Sequence, residues 1–198
     1  MKKLVLLGGG GHARACLDVI RAGGHFQAAG ILDRPELVGA DVLDVPVIGT
    51  DEDIPALVAK GMCFLIALGQ IKTPEPRIRL FERLRELNAD LPVIVAPTAH
   101  VSPYAVIGEG SIVMHMAMVG PGARIGANCI VNTRALVEHD AELGDHSHVA
   151  TGALVNGDCR IGSGVFIGSG AVLRQGVRIG DCSVVGMGTI VRRDVAPL

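Results

Sequence analysis

The chain of 198 residues carries almost no net charge, 18 Lys and Arg standing against 20 Asp and Glu for a formal −2. That balance excludes a general electrostatic attraction to nucleic acid or to an anionic membrane surface. No apolar run approaches the roughly 20 residues that a bilayer span requires. No secretory leader is expected either, because Lys2 and Lys3 precede only Leu4 to Leu7 before glycines intervene. Five cysteines are present but no CxxC pair, so reduced thiols in a cytoplasmic protein are expected.

What the chain does have is a six-residue repeat running without interruption from Val101 to Ala196. Every sixth residue from Val101 through Val119, Val137, Val155 and Leu173 to Val191 is aliphatic, and four places further on each unit carries a small or β-branched residue, such as Ala117, Cys129, Ala135, Ala153 or Cys159. An α-helix at 3.6 residues per turn would smear such a column around its surface. The period is that of a hexapeptide β-helix, in which each unit gives a short strand and a corner and three units close one coil. Residues 18 apart then lie on top of one another. Sixteen units make a little over five coils, about 25 Å tall at the roughly 4.8 Å strand spacing. Glycine recurs just after the aliphatic position (Gly108, Gly120, Gly126, Gly144) and again two places later, where corners need unusual backbone angles.

The first 96 residues lack this pattern and alternate apolar strand-like runs with helical ones. Strands are expected at Lys3–Leu7, Gln27–Leu32, Val45–Ile48, Cys63–Leu68 and Leu91–Val95, and helices at Arg14–Arg21, Ile54–Lys60 and Pro76–Leu87. The alternation predicts a small Rossmann-like α/β domain over 1–96, with ligands at the carboxyl ends of its strands, followed by the β-helix over 97–198. Gly8, Gly10 and Ala13 formally satisfy G-x-G-x-x-A, with Asp33 ending the next strand. A dinucleotide site needs a second mononucleotide half for which there is too little chain. The loop does offer backbone N–H groups at a helix start, suited to a phosphate.

Four histidines lie on outward positions of the solenoid: His115, His139, His146 and His148. His139 and Asp140 share a corner, an imidazole beside a carboxylate being the usual arrangement of a general base at neutral pH. The 18-residue register puts Gly157 over His139, leaving room and an exposed N–H, and puts Asp158 over Asp140. His146 reads as a solvated corner residue, and His115 has no acidic partner in the sequence. A zinc site would need three converging imidazoles. His146 and His148 do not stack in register with His139, so no metal is expected.

Gly8-Gly9-Gly10-Gly11-His12-Ala13, the segment Val137-Glu138-His139-Asp140, His148 and the sixteen hexapeptides together resemble the bacterial acetyltransferases of the sialic acid O-acetyltransferase type. Members of that family include nucleotide-sugar amine N-acetyltransferases. The resemblance spans essentially the whole chain. It implies left-handed winding and a homotrimer, with acetyl-CoA in the groove between two subunits and the amino-terminal domain holding a sugar nucleotide. It makes His139 the base and Asp140 its supporting carboxylate. Asn132, His148, Gly157 and Ser169 would approach acetyl-CoA, with the Gly157 N–H meeting the oxyanion. Gly10, Gly11, His12, Ala13, Asp33, Arg34 and Gly69 would approach the sugar nucleotide. The chain departs from some members by having Asp140 in place of Glu, and Arg34 in place of a second acidic residue after Asp33.

The expected activity is therefore acetyl transfer from acetyl-CoA to the amine of a nucleotide-linked amino sugar, in bacterial surface-glycan biosynthesis. O-acetylation of a sialic-acid-like sugar is the alternative within the class. A non-catalytic nucleotide-binding solenoid would leave His139, Asp140 and Gly157 without purpose, and an NAD-dependent oxidoreductase would leave the whole carboxyl-terminal half unexplained.

Overall fold

The computed structural model describes residues 1–70 and 72–198. Its amino-terminal part is a five-stranded sheet built from β1 (Lys2–Leu7), β2 (Phe26–Leu32), β3 (Asp41–Val42), β4 (Val45–Gly49) and β5 (Cys63–Ile66), in the order β3-β4-β2-β1-β5. All pairings are parallel except β3 with β4. The period-2 alternation of β1 explains the layering. Leu4 and Leu6 join one apolar cluster with α1 (Gly11–Gly23), while Val5 and Leu7 join another with α2 (Ile54–Ala59) and α3 (Glu75–Glu86). Helix α1 is amphipathic, burying Ala13, Cys16, Leu17, Val19 and Ile20, and it ends at Gly24 in the left-handed conformation (φ 65°). No helix among the described residues is long and apolar enough to cross a membrane.

One expected strand belongs elsewhere. The run Leu91–Val95, expected in the α/β sheet, does not join it, and only Asp90 bridges to Cys63 of β5. Ile94 and Val95 instead form β6, the first rung of the solenoid, paired with Ile112 and Val113. Two strands 18 residues apart are equally apolar whether they join a sheet or a coil, so periodicity could not separate the two.

From β6 onward two-residue strands stack in three parallel sheets of six, five and six strands. Partners are 18 residues apart throughout, as in His100, Met118, Leu136, Leu154, Val172 and Ile190. The aliphatic and small columns turn inward and form one continuous cluster, with Val119, Val137, Val155 and Leu173 almost wholly buried. The outward columns differ from face to face. One (Ile94, Ile112, Ile130) packs under the amino-terminal domain. A second carries Arg124, Glu142, Arg160 and Arg178 to solvent. The third is the ladder His100, Met118, Leu136, Leu154, Val172 and Ile190, apolar over five rungs, with Met118 and Ile190 40% and 61% exposed.

The two glycine columns do different work. Left-handed angles occur only in the later column, at Gly110, Gly122, Gly152, Gly164 and Gly170, and also at Asn128, Asp140, His146 and Asp158. The earlier column keeps ordinary angles and is needed for close approach: a Cβ on Gly144 would sit 2.6 Å from the Gly162 carbonyl carbon and the Ser163 nitrogen of the next coil. Gly144→Ala should therefore cost about 3 kcal/mol, the upper range of overpacking. Gly152→Ala has open space and only its φ of +66° to contend with, and should cost about 1 kcal/mol. Urea denaturation of both variants measures the difference, and equal costs would refute the close-approach role.

Candidate active site

The residues singled out in the sequence are sorted by the fold into three places. The first is the corner between the apolar and charged faces. There His139 Nδ1 lies 2.9 Å from Asp140 Oδ2, so the imidazole donates Nδ1–H to the carboxylate and leaves Nε2 as a free acceptor. The backbone is pinned as well, His139 N–H donating to Glu138 Oε2 at 2.8 Å. A Cβ on Gly157 would stand 2.5 Å from His139 Nε2, which puts the absent side chain of the coil above at the free nitrogen. Gly157 has no positive φ, so glycine is present here for space and not for its backbone freedom. Its N–H has no acceptor among the described residues. The hydrogen bond that His139 donates to Asp140 raises the proton affinity of the imidazole above that of an ordinary histidine, and Glu138 and Asp158 add to it through their charge. Asp158 is itself held by Arg160 at 2.8 Å.

The second place is a cleft of about 350 Å³ between the glycine loop and the solenoid, where Gly10, Gly11, His12, Gly69, Asn132 and His148 come together with Leu68 and Gln70. Gly10, Gly11 and His12 line it at the start of α1, and their N–H groups have no acceptor among the described residues. A helix amino terminus of this kind attracts anions. Ala13 does not join them. Its side chain is fully buried in the core and its N–H is bonded to Gly10 O at 3.1 Å, so the helical period turns it away from any substrate. His148 holds an outward position of the repeat, yet it is only 6% exposed. Its Nδ1–H donates to Gln70 O at 3.0 Å, Asn132 Nδ2–H donates to its Nε2 at 3.1 Å, and Phe166 packs on its ring. Burial holds its proton affinity down, to a pKa of about 3. Burial and the nearby Arg77 likewise bring His12 to about 4. Ser169 is exposed on the same edge as Asn132, two coils above Thr133.

The third place is a larger crevice at the carboxyl ends of β1, β2 and β4, lined by Gly8, Asp33, Arg34, Thr50, Asp51 and Arg79. Asp33 accepts the Gly9 N–H at 2.6 Å and the Arg34 N–H at 2.7 Å, and so anchors the glycine loop. Arg34 is largely exposed and pairs with Glu36 at 3.2 Å.

Two further histidines differ from their sequence reading. His146 is half-buried, bonded to Asn128 at 3.0 Å with Phe81 of α3 against its ring, so it is an interdomain contact and not a solvated corner. His115 does meet an acid, Asp18 of α1 at 3.2 Å, and its Nδ1 accepts from the Thr98 hydroxyl at 2.7 Å. Gly164, one coil above His146, is likewise covered: a Cβ there would meet Pro74 at 2.9 Å, and Gln70 donates to its carbonyl. Sequence reasoning missed Gln70 and Arg77. Neither stands out locally, and only the packing of the two parts reveals them.

Residues 3–84 match the PglD N-terminal domain and residues 158–193 match the bacterial transferase hexapeptide (six repeats). The search of curated proteins gave no match. Among solved structures, the acetyltransferase domain of PglB from Neisseria gonorrhoeae, in complex with acetyl coenzyme A, is 33% identical with a TM-score of 0.92, over 98% of this chain and 93% of that one. PerB from Caulobacter crescentus, in complex with CoA and GDP-perosamine, is 34% identical with a TM-score of 0.91, over 100% of this chain and 92% of that one. WeeI from Acinetobacter baumannii, at 23% identity and a TM-score of 0.81 over 100% of this chain and 94% of that one, shares the fold. The solenoid is thus a left-handed parallel β-helix following a Rossmann-like α/β domain. With this likeness running the whole length of the chain, the protein belongs to the nucleotide-sugar amine N-acetyltransferase family of hexapeptide-repeat acetyltransferases.

Proposed function

We propose that the protein transfers the acetyl group of acetyl-CoA to the amine of a nucleotide-linked amino sugar. The observation that carries this reading is His139, its Nδ1 held by Asp140 and its Nε2 facing the space that Gly157 leaves open. A neutral imidazole backed by a carboxylate takes the proton from an amine as it attacks. Acetyl-CoA supplies an activated thioester, whose thiolate leaves without acid assistance. The unpartnered Gly157 N–H is placed for the negative charge that develops on the carbonyl oxygen, a contribution of about 3 kcal/mol for a fixed donor. The amine is preferred over a hydroxyl because the Caulobacter relative is described with GDP-perosamine. The N–H groups at the start of α1 suit the diphosphate of such a substrate, and Asp33 and Arg34 border the crevice beyond it.

The apolar ladder supports a homotrimer. Five stacked apolar side chains on an uncovered face form the kind of continuous patch that marks an interface. Within one chain, that face separates the Asn132 corner from the His139 corner, since Asn132 precedes the rung Leu136–Val137 and His139 follows it. Threefold packing on this face brings the His139 corner of one subunit to the Asn132 and His148 edge of the next. The site is then shared between subunits, with acetyl-CoA between them. Five unpaired cysteines fit a cytoplasmic setting.

Four tests follow from this reading. His139→Ala should lower kcat by at least about 10²-fold with acetyl-CoA affinity little changed. The acid limb of the kcat/KM profile should lie above the ordinary histidine range, because activity requires the neutral base and Asp140 raises its pKa. His12 and His148, at about 4 and about 3, stay neutral through that range. Asp140→Asn should move the limb to lower pH; a limb that stays put belongs to the substrate amine and ends the assignment. Gly157→Ala, with its Cβ against Nε2, should abolish transfer in a folded protein, while Gly186→Ala, whose Cβ meets only Thr189 Oγ1 at 3.3 Å, should leave turnover intact. Finally, His139→Ala and His148→Ala subunits, each inactive alone, should regain about one quarter of wild-type activity when unfolded together and reassembled, the fraction of interfaces receiving both intact residues by random mixing. No recovery would place both histidines in a single-subunit site.

A further inference from the structure

The largest fully buried side chain is a charged one, Arg77 of α3, at 1% exposure. No carboxylate is among its hydrogen-bond partners. Nη1 donates to Ile66 O at 3.2 Å and Leu68 O at 2.6 Å; Nη2 donates to Asn128 O at 2.6 Å and Asn128 Oδ1 at 2.7 Å. Nε has no acceptor among the described residues. Asn128, fully buried at a solenoid corner, returns a bond from Nδ2 to the Arg77 carbonyl at 3.3 Å. Withdrawing a guanidinium from water without a counter-charge is costly, and an apolar residue of similar volume often gives an equal or more stable core. Stability therefore does not account for Arg77.

Its position does. Both carbonyls under Nη1 belong to the chain leaving β5, which runs on as Leu68-Gly69-Gln70 and walls the cleft. The far end of this strap is tied to the solenoid twice, Gln70 Nε2–H donating to Gly164 O at 2.8 Å and Gln70 O receiving His148 Nδ1–H. Beside it, Gln70 Oε1 and His12 Nε2 are buried with no partner among the described residues. Polar atoms left unmatched by the folded chain mark a wall arranged for something else to complete.

We propose that Arg77 is a positioning residue: by gripping Leu68 and Asn128 together it fixes the Leu68–Gln70 strap on the solenoid, and with it the tautomer of His148 and the cleft wall that Gly69 and His12 present to the sugar nucleotide. The meaning of the cleft rests on the acetyltransferase reading above, whereas the strap itself is testable without substrate. The same charge, added to burial, disfavours protonation of His12 and His148.

The experiment compares full-length wild type, Arg77→Met and Arg77→Lys by nitrogen-15 imidazole spectroscopy, thermal unfolding and steady-state kinetics. In the wild type His148 should show a single Nδ1–H tautomer. In Arg77→Met it should become a mixture as the Gln70 carbonyl withdraws, with Tm unchanged or higher. KM for the amino-sugar nucleotide should rise about tenfold or more, and that for acetyl-CoA less than about threefold. Arg77→Lys, keeping the charge but not the two-sided grip, should fall between, and it decides the matter on the same readouts if the Met variant does not fold. An unchanged tautomer with unchanged KM overturns the proposal. So does a fall in Tm with normal KM in the protein that remains folded, which would make Arg77 structural only. If the wild type acetylated no amino sugar, the tautomer change would still stand or fall by itself.

Discussion

The hydrogen-bonded stacking of each coil on the one 18 residues before it is the constraint from which the rest of the molecule follows. Each rung donates upward in one pattern: Met118 N–H to Ala135 O, Leu136 N–H to Ala153 O, Leu154 N–H to Ala171 O. Because the ladder is parallel and in register, like positions stand over like positions. That gives the core its columns and forces glycine wherever two backbones nearly touch. It also puts Gly157 over His139 with no long-range folding needed to find it. A neighbourhood assembled this way is as precise as the ladder itself.

The amino-terminal domain changes what the solenoid's surface means. By its repeat position His148 faces outward just as His139 lies on an outer corner, yet one is covered by the Gln70 segment and the other stands open beside Asp140. The same side chain is thereby tuned in opposite directions, burial suppressing the charge of His148 and a neighbouring carboxylate favouring that of His139. Two imidazoles in one protein can so divide their work, one fixed as a neutral hydrogen-bonding group and one free to take up a proton. The division is made by chain that lies 78 residues away in sequence from His148.

Legibility followed the range of the interactions. The β-helix, its register and the His139, Asp140 and Gly157 corner were readable because each depends on residues one period apart. Most strands and helices of the α/β part were readable from local alternation, with ends displaced by one to three residues, whereas the two-residue β3 was not. What escaped depends on contact between the two parts: the burial of His148, the packing of Phe81 on His146 and the Asp18 that faces His115. Arg77 looks in the sequence like one more cation on a charged helix, and nothing short of docking α3 on Asn128 reveals it as buried. Ile94 and Val95 were misassigned because an apolar dipeptide strand has the same composition in a sheet and in a coil.

The three faces of the prism, one covered, one charged and one apolar, also restrict how such a chain can change its length. Removing or adding a single hexapeptide would leave every coil closed and every inward residue inward. It would, however, turn all later units by one face. The rungs carrying Leu154, Val172 and Ile190 would then pass to a different side of the prism from Met118 and Leu136, and Gly157 would no longer stand above His139. Only whole coils can be gained or lost without cost to the faces. Insertions and deletions in this fold are thus quantised at three repeats, although the repeat itself is six residues long.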